Sequence, residues 1–244
     1  MCIRDRANTN STAGASNFDG SVQATVKANA TAGFSIVGWD YDGTTGQYTV
    51  GHGLNTAPSM IIVRPRELTS NWGVYHSTLG NTKGINLNTT DAPSTSTGWW
   101  NNTSPTSSVF TLSTFFDDDS TYIAYCFAPV AGYSAFGTYT GGSDNQFVYT
   151  GFRPALVAAR RYDTGSSGTW VVCDSARDTS NPVVPFLSWN NAGAEVNSAD
   201  RFDFLSNGFK LRAPSNYNPN ESGADYLYIA FAENPFQANG GLAR

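Results

Sequence analysis

The chain has 244 residues, with 14 Lys and Arg against 19 Asp and Glu and a net charge of -5. Charged residues make up 14% of it, well below the usual ~25%, while aromatics reach 14% and Ser, Thr, Asn and Gly fill much of the rest. That is the mix of a β-rich, turn-rich, displayed protein, and it excludes the basic surface that neutralises the phosphates of a nucleic acid.

In chain order, Met1-Cys2-Ile3-Arg4-Asp5-Arg6 resembles a translated sequencing-library adapter. It is set aside, with the expectation that the protein continues upstream. Residues 7–32 are Asn, Thr, Ser, Ala and Gly with few apolar anchors, as in a linker or the end of an upstream domain. Gly33-Phe34-Ser35-Ile36-Val37-Gly38 then opens a segment that closes on Tyr122-Ile123-Ala124-Tyr125-Cys126-Phe127-Ala128. A second segment opens on Gly132-Tyr133-Ser134-Ala135-Phe136-Gly137 and closes on Tyr226-Leu227-Tyr228-Ile229-Ala230-Phe231-Ala232. Between those ends Arg64 answers Arg160 and Trp72 answers Trp170 in the same order, so the unit is a domain-sized duplication and not a short solenoid repeat. Two cores of about 100 residues each need no disulfides to persist.

Met60-Ile61-Ile62-Val63, Ile123 to Phe127, Trp170-Val171-Val172 and Leu227 to Phe231 are short runs of β-formers bounded by Gly, Pro, Asn and Asp, and no convincing helix intervenes. The closing strands are apolar on both faces and read as central in their sheets. Asn207-Gly208, between two such runs, predicts a type I′ hairpin turn. The longest apolar stretch, Tyr122 to Phe136, is broken by Pro129 and Gly132 and is shorter than the ~20 residues of a membrane-spanning helix. No membrane insertion is expected. The fold class expected is all-β, two homologous sandwich-like, jelly-roll-like repeats over residues 33–131 and 132–240, with 241–244 as a tail.

Candidate chemistry is sparse. His52 and His76 are the two histidines, with no Cys or carboxylate at metal-ligand spacing, so no metal site or cofactor is expected. Cys126 and Cys173 sit in strand-like runs whose register argues against a disulfide. Asp117-Asp118-Asp119 lacks the alternating spacing of a calcium loop and reads as solvated. No Gly-x-Ser-x-Gly elbow is present, and no carboxylate pair stands out as catalytic. Aromatics are the better lead. Trp99-Trp100, in the polar setting Gly98 to Ser104, reads as an exposed ligand-binding pair, and Trp39 with Tyr41 forms a second candidate beside Asp40, Asp42 and Gly43.

The strings Gly33-Phe34-Ser35-Ile36-Val37, Gly51-His52-Gly53-Leu54, Trp72-x-Val74-Tyr75-His76-Ser77, Asp203 to Arg212 and Ala230 to Phe236 resemble a duplicated domain of unknown function found in tail-fibre and other virion proteins of tailed bacteriophages, marine ones especially. The resemblance spans about residues 33–236. It implies an extracellular location in the virion tail, as the C-terminal part of a structural protein, without catalysis. The partners it implies are other tail proteins, further copies of the chain and a host cell-surface glycan. The alternatives from other classes are a carbohydrate-directed hydrolase, such as a depolymerase or esterase, and a secreted lectin-like module.

Overall fold

The computed structural model describes residues 14–44, 46–142, 146–163, 168–198 and 200–234. Met1–Arg6, read as adapter, and residues 241–244, read as a tail, lie outside the described residues. Among those described, regular structure is strand except for one helical turn, Thr97–Trp100, and one 3-10 turn, Thr114–Phe116. The protein is all-β, built of antiparallel sheets.

The chain divides into two compact units. Unit 1 takes in the described residues up to Leu87 together with Pro93–Pro129; unit 2 takes in Asn88–Ala92 and the described residues from Val130 onward. The larger sheet of unit 1 uses β1 (Ala15–Asn17), β2 (Ala24–Asn29), β3 (Phe34–Tyr41), β5 (Met60–Pro65), β6 (Gly73–His76), β7 (Lys83–Asn86), β8 (Ser94–Thr95) and β10 (Ser120–Phe127), in the order β1-β2-β3-β10-β5-β6-β7-β8. β4 (Tyr48–Gly51) and β9 (Val109–Leu112) pair as a second, smaller sheet. Val37, Trp39, Val63, Tyr122 and Ala124 from the first sheet share one core with Tyr48, Val50, Phe110 and Leu112 from the second. Successive strand residues point to opposite faces, so β10 buries Tyr122, Ala124 and Cys126 while Thr121, Ile123 and Tyr125 look outward.

Residues 14–32 are part of this fold and not a linker. β2 pairs with β3 from Ala24↔Trp39 to Asn29↔Phe34, and β1 pairs with β2. Composition misled because only Ala24 and Val26 of β2 enter the core, and a strand paired on both sides, to β1 and to β3, needs few apolar anchors when its backbone bonds are taken up by its neighbours.

In unit 2, β11 (Ser134–Thr140), β13 (Pro154–Arg161), β14 (Val171–Asp174) and β17 (Asp225–Ala232) form a sheet ordered β11-β17-β13-β14. β12 (Phe147–Tyr149), β15 (Phe202–Leu205) and β16 (Gly208–Leu211) form the other, ordered β12-β16-β15. The first order repeats β3-β10-β5-β6 of unit 1. Three-ring packing recurs as well: Trp39 stacks on Tyr122 at 5.4 Å with Phe110 edge-on at 6.0 Å, and Tyr139 stacks on Tyr226 at 5.0 Å with Phe209 edge-on at 6.0 Å. Pairing places Gly33 level with Tyr133 rather than Gly132, because Ala128 donates to Gly33 O and Ala232 to Tyr133 O.

The β15–β16 hairpin forms where expected, but its loop is Ser206-Asn207, with Leu205 paired to Gly208. Neither Asn207 nor Gly208 has a positive φ, so the type I′ expectation fails. Gly208 has another reason to be glycine: a Cβ there would lie 2.2 Å from the Val148 carbonyl oxygen of β12. Gly84 is constrained in the same way by a side chain, since its Cβ would meet the Trp99 indole at 2.2 Å. Gly84→Ala is expected to destabilise unit 1 by about 1–3 kcal/mol through overpacking, read as a lower urea midpoint; an unchanged midpoint would show that Trp99 has room to move.

Candidate functional site

The four aromatics singled out from the sequence are core residues. Trp39 and Tyr41 are 4% exposed, Trp99 6% and Trp100 1%. Gly98 to Asn101 is not an open loop but the end of the helical turn: the Ser96 hydroxyl accepts from Gly98 N at 3.0 Å, and Asn101 closes the turn in the left-handed region at φ 48°. That cap turns both indoles inward. Trp100 Nε1 donates to Lys83 O at 2.9 Å and Trp99 Nε1 to the Ser94 hydroxyl at 2.8 Å, so each polar edge is satisfied where it is buried. Trp39 and Tyr41 are inward by strand parity, Tyr41 lying 3.9 Å from the Tyr48 ring. All four side chains pack in the core of unit 1, and Trp39 and Tyr41 contribute only to the edges of the two hollows on the outer face.

The other candidates have structural surroundings. His52 Nδ1 accepts from Leu54 N at 3.2 Å and the opposite ring nitrogen donates to Thr106 O at 3.2 Å, which clamps the turn between Gly51 and Gly53. His76 Nδ1 accepts from Thr78 N, and its Nε2 is buried with no hydrogen-bond partner among the described residues. Cys126 and Cys173 are free, buried thiols pushed up to about 12 by desolvation. Asp118 and Asp119 are exposed, and no cluster of His, Cys, Asp or Glu among the described residues is arranged to hold a metal ion.

Burial pushes His76 down to about 4 and lowers His52 as well. The unfolded rings titrate near 6.5, so protonation favours the unfolded chain. The stability carried by neutral His76 is full above pH ~6.5 and is lost as pH falls toward 4, by about 3 kcal/mol in all. Urea midpoints measured from pH 7 down to 5 should fall, and His76→Gln should flatten most of that slope; an equally steep fall in the variant would sink the assignment.

What faces outward in unit 1 is a trough across β2, β3 and β10. Thr25, Gly38, Ile123 and Arg64 lie on one rung, Lys27, Ile36, Tyr125 and Ile62 on the next, and Asp40 pairs with Thr121, whose carbonyl accepts from Arg66 N at 2.7 Å. The hollow has a volume of about 710 Å3 and is lined in part by Gln23, Thr25, Lys27, Asp40, Arg66 and Thr121. Gly38 makes its floor: a Cβ there would touch only the Tyr122 carbonyl oxygen at 3.8 Å, so the missing side chain leaves a dip between Thr25 and Ile123. A second hollow of about 610 Å3 continues from it through Val22 and Asp40 to Asp42, Thr44 and Asp119. The Asp42 carboxyl is held below the usual carboxylate range by the Thr44 hydroxyl and backbone N–H.

Beyond Ile123 the same face carries Arg64, its guanidinium 4.9 Å over the Trp72 ring, with Trp72 stacked on Tyr125 at 6.4 Å. Both rings are half-buried. Arg64 and Arg66 form no ion pair among the described residues, whereas Arg153, Arg161, Arg177 and Arg212 of unit 2 each meet a carboxylate. The matching pair in unit 2 is closed off. Arg160 and Trp170 are 0% and 1% exposed, Trp189 packs at 5.0 Å on Trp170, and Arg160 Nη2 donates to Asp91 O at 2.6 Å.

Trp39 and Tyr41, expected from the sequence to face a ligand, lie on the buried side of β3. Once Trp39 and Tyr41 point in, Asp40 must point out. Residues 7–235 match the family described as Domain of unknown function (DUF7483), and the chain belongs to that family. No curated protein and no solved structure matches it.

Proposed function

We propose that the chain is a non-catalytic structural part of a bacteriophage virion, the C-terminal part of a tail or tail-fibre protein, acting in attachment to the host surface or in tail assembly. The observation that carries this reading is the contrast between the two faces of the unit 1 sheet. Its inner face locks the aromatics into a core, and its outer face holds a trough of mixed polar side chains fixed on paired strands. Such a surface displays contacts on a rigid scaffold, which is what an attachment module requires. The ordered strings shared with tail-fibre domains supply the setting, and the partners are other tail proteins, further copies of the chain and a glycan on the host cell.

Mass spectrometry of gradient-purified particles should find the chain in the tail, and the purified protein added in excess should lower host adsorption by at least tenfold. Absence from purified particles would overturn the virion assignment, and presence in them without any competition for adsorption would confine the role to assembly.

A further inference from the structure

We infer that the outer face of unit 1 binds an anionic polysaccharide, with Arg64 and Arg66 receiving the acidic groups and Trp72 with Tyr125 receiving sugar-ring faces. This deepens the attachment reading above and rests on it for its biological setting, but not for its chemistry.

In a chain of net charge -5, Arg64 on β5 and Arg66 just past its end stand two residues apart, neither in an ion pair among the described residues, while the guanidiniums at 153, 161, 177 and 212 are spent on internal ion pairs. A guanidinium fork presents parallel N–H donors that match a carboxylate or a sulfate. Arg64 is already oriented by the Trp72 ring beneath it, so little freedom is lost when it meets an anion.

The neighbouring chemistry narrows the class of anion. Half-buried Trp72 and Tyr125, stacked on each other, keep part of their apolar ring surface open to the C–H side of a pyranose. Asp40, Thr25 and Thr121, across the dip at Gly38, offer acceptors and hydroxyls to sugar OH groups. The trough then runs toward Asp42 and Asp119, which repel a backbone charged at every unit. A chain of mostly neutral rings carrying intermittent acidic groups fits both ends, and a polyphosphate backbone fits only one.

The test uses the purified full chain and four probes in calorimetry: alginate as a polyuronate, dextran sulfate, neutral dextran and a single-stranded oligonucleotide. Alginate, dextran sulfate or both should bind, more weakly at high salt, and neutral dextran should not. Which of the two binds distinguishes a carboxylate ligand from a sulfate one. Arg64→Gln with Arg66→Gln should lose at least tenfold in affinity, Trp72→Ala should lose a comparable factor, and Lys83→Gln, the same loss of charge on β7, should leave affinity unchanged. Circular dichroism and melting confirm that each variant is folded. The inference is overturned if no acidic polymer binds, if neutral dextran binds equally, if the oligonucleotide binds more tightly than either polysaccharide, or if the arginine pair can be replaced without effect. Binding by a chain absent from virions would sink the attachment role and keep the site; a virion protein blind to acidic polymers would do the reverse.

Discussion

Trp100→Ala is expected to cost about 3–5 kcal/mol of folding stability, the range for removing a large buried aromatic. The indole is 1% exposed and meets Tyr75 edge-on at 5.6 Å, Phe116 at 5.5 Å and Trp99 at 6.0 Å. Its removal leaves a cavity bounded by rings on β6, the helical turn and the 3-10 turn, and it frees the Lys83 carbonyl that Nε1 now satisfies. Trp72→Ala provides the contrast. That ring is half-buried on the outer face, with the Tyr125 ring 6.4 Å and the Arg64 guanidinium 4.9 Å from its centre, and its loss should cost only about 1–2 kcal/mol in proportion to the apolar area it covers. Urea unfolding of both variants checks the pair. A loss below 1 kcal/mol for Trp100→Ala would return that residue to the surface, where the sequence alone had placed it.

The all-β class was legible because the cue is local. Runs such as Met60 to Val63 and Ile123 to Phe127 carry β-formers on both faces, and the central positions of β10 and β17 follow from that. The site was not legible, for a reason that is also local. In a polar, Gly-flanked stretch the two tryptophans look stranded, yet Ser96 as N-cap and the Asn101-Asn102 pair at positive φ fold that stretch into one turn aimed at the core. A Ser two residues ahead of Gly98 and an Asn pair just after Trp100 were the available signal. Burial of Trp39 and Tyr41 was equally decided by parity, since the alternation on β3 alone puts Asp40 on the opposite side. β2 could not be foreseen from its few apolar residues, because its place is secured by backbone pairing to β3, a long-range contact that composition does not encode. The likeness of Arg64 to Arg160 and of Trp72 to Trp170 was visible in the sequence, but their unlike environments were not. Cover over the second pair comes from Trp189 and from Asp91, far from either in the chain.

That difference makes the two arginines unequal in what their loss costs. Arg160→Ala should destabilise by about 3–5 kcal/mol, and Arg64→Ala, at the matching place in unit 1, by no more than about 1 kcal/mol. Arg160 is fully buried; desolvation brings its guanidinium down to about 10, and Asp91 partly offsets that. A buried cation of this kind is kept by what it holds, and here Nη2 grips the Asp91 carbonyl at 2.6 Å while the guanidinium lies 5.9 Å over the Trp170 ring. Truncation removes the stem from the core of unit 2, strips the Asp91 carbonyl of a donor and loosens Asn88–Ala92, the segment that belongs to unit 2 although its neighbours in sequence belong to unit 1. Arg64 leaves no such gap, because the outer face around it is half-open and water can take its place. Arg160→Met separates the two contributions: it refills the volume without the donor, so it should recover more than half of the loss if packing dominates and little if the Asp91 carbonyl does. Protease cleavage at Asn88–Ala92 gives the second readout. It should accelerate in Arg160→Ala and stay slow in Arg64→Ala, and equal rates in the two variants would mean that the buried arginine does not hold that segment.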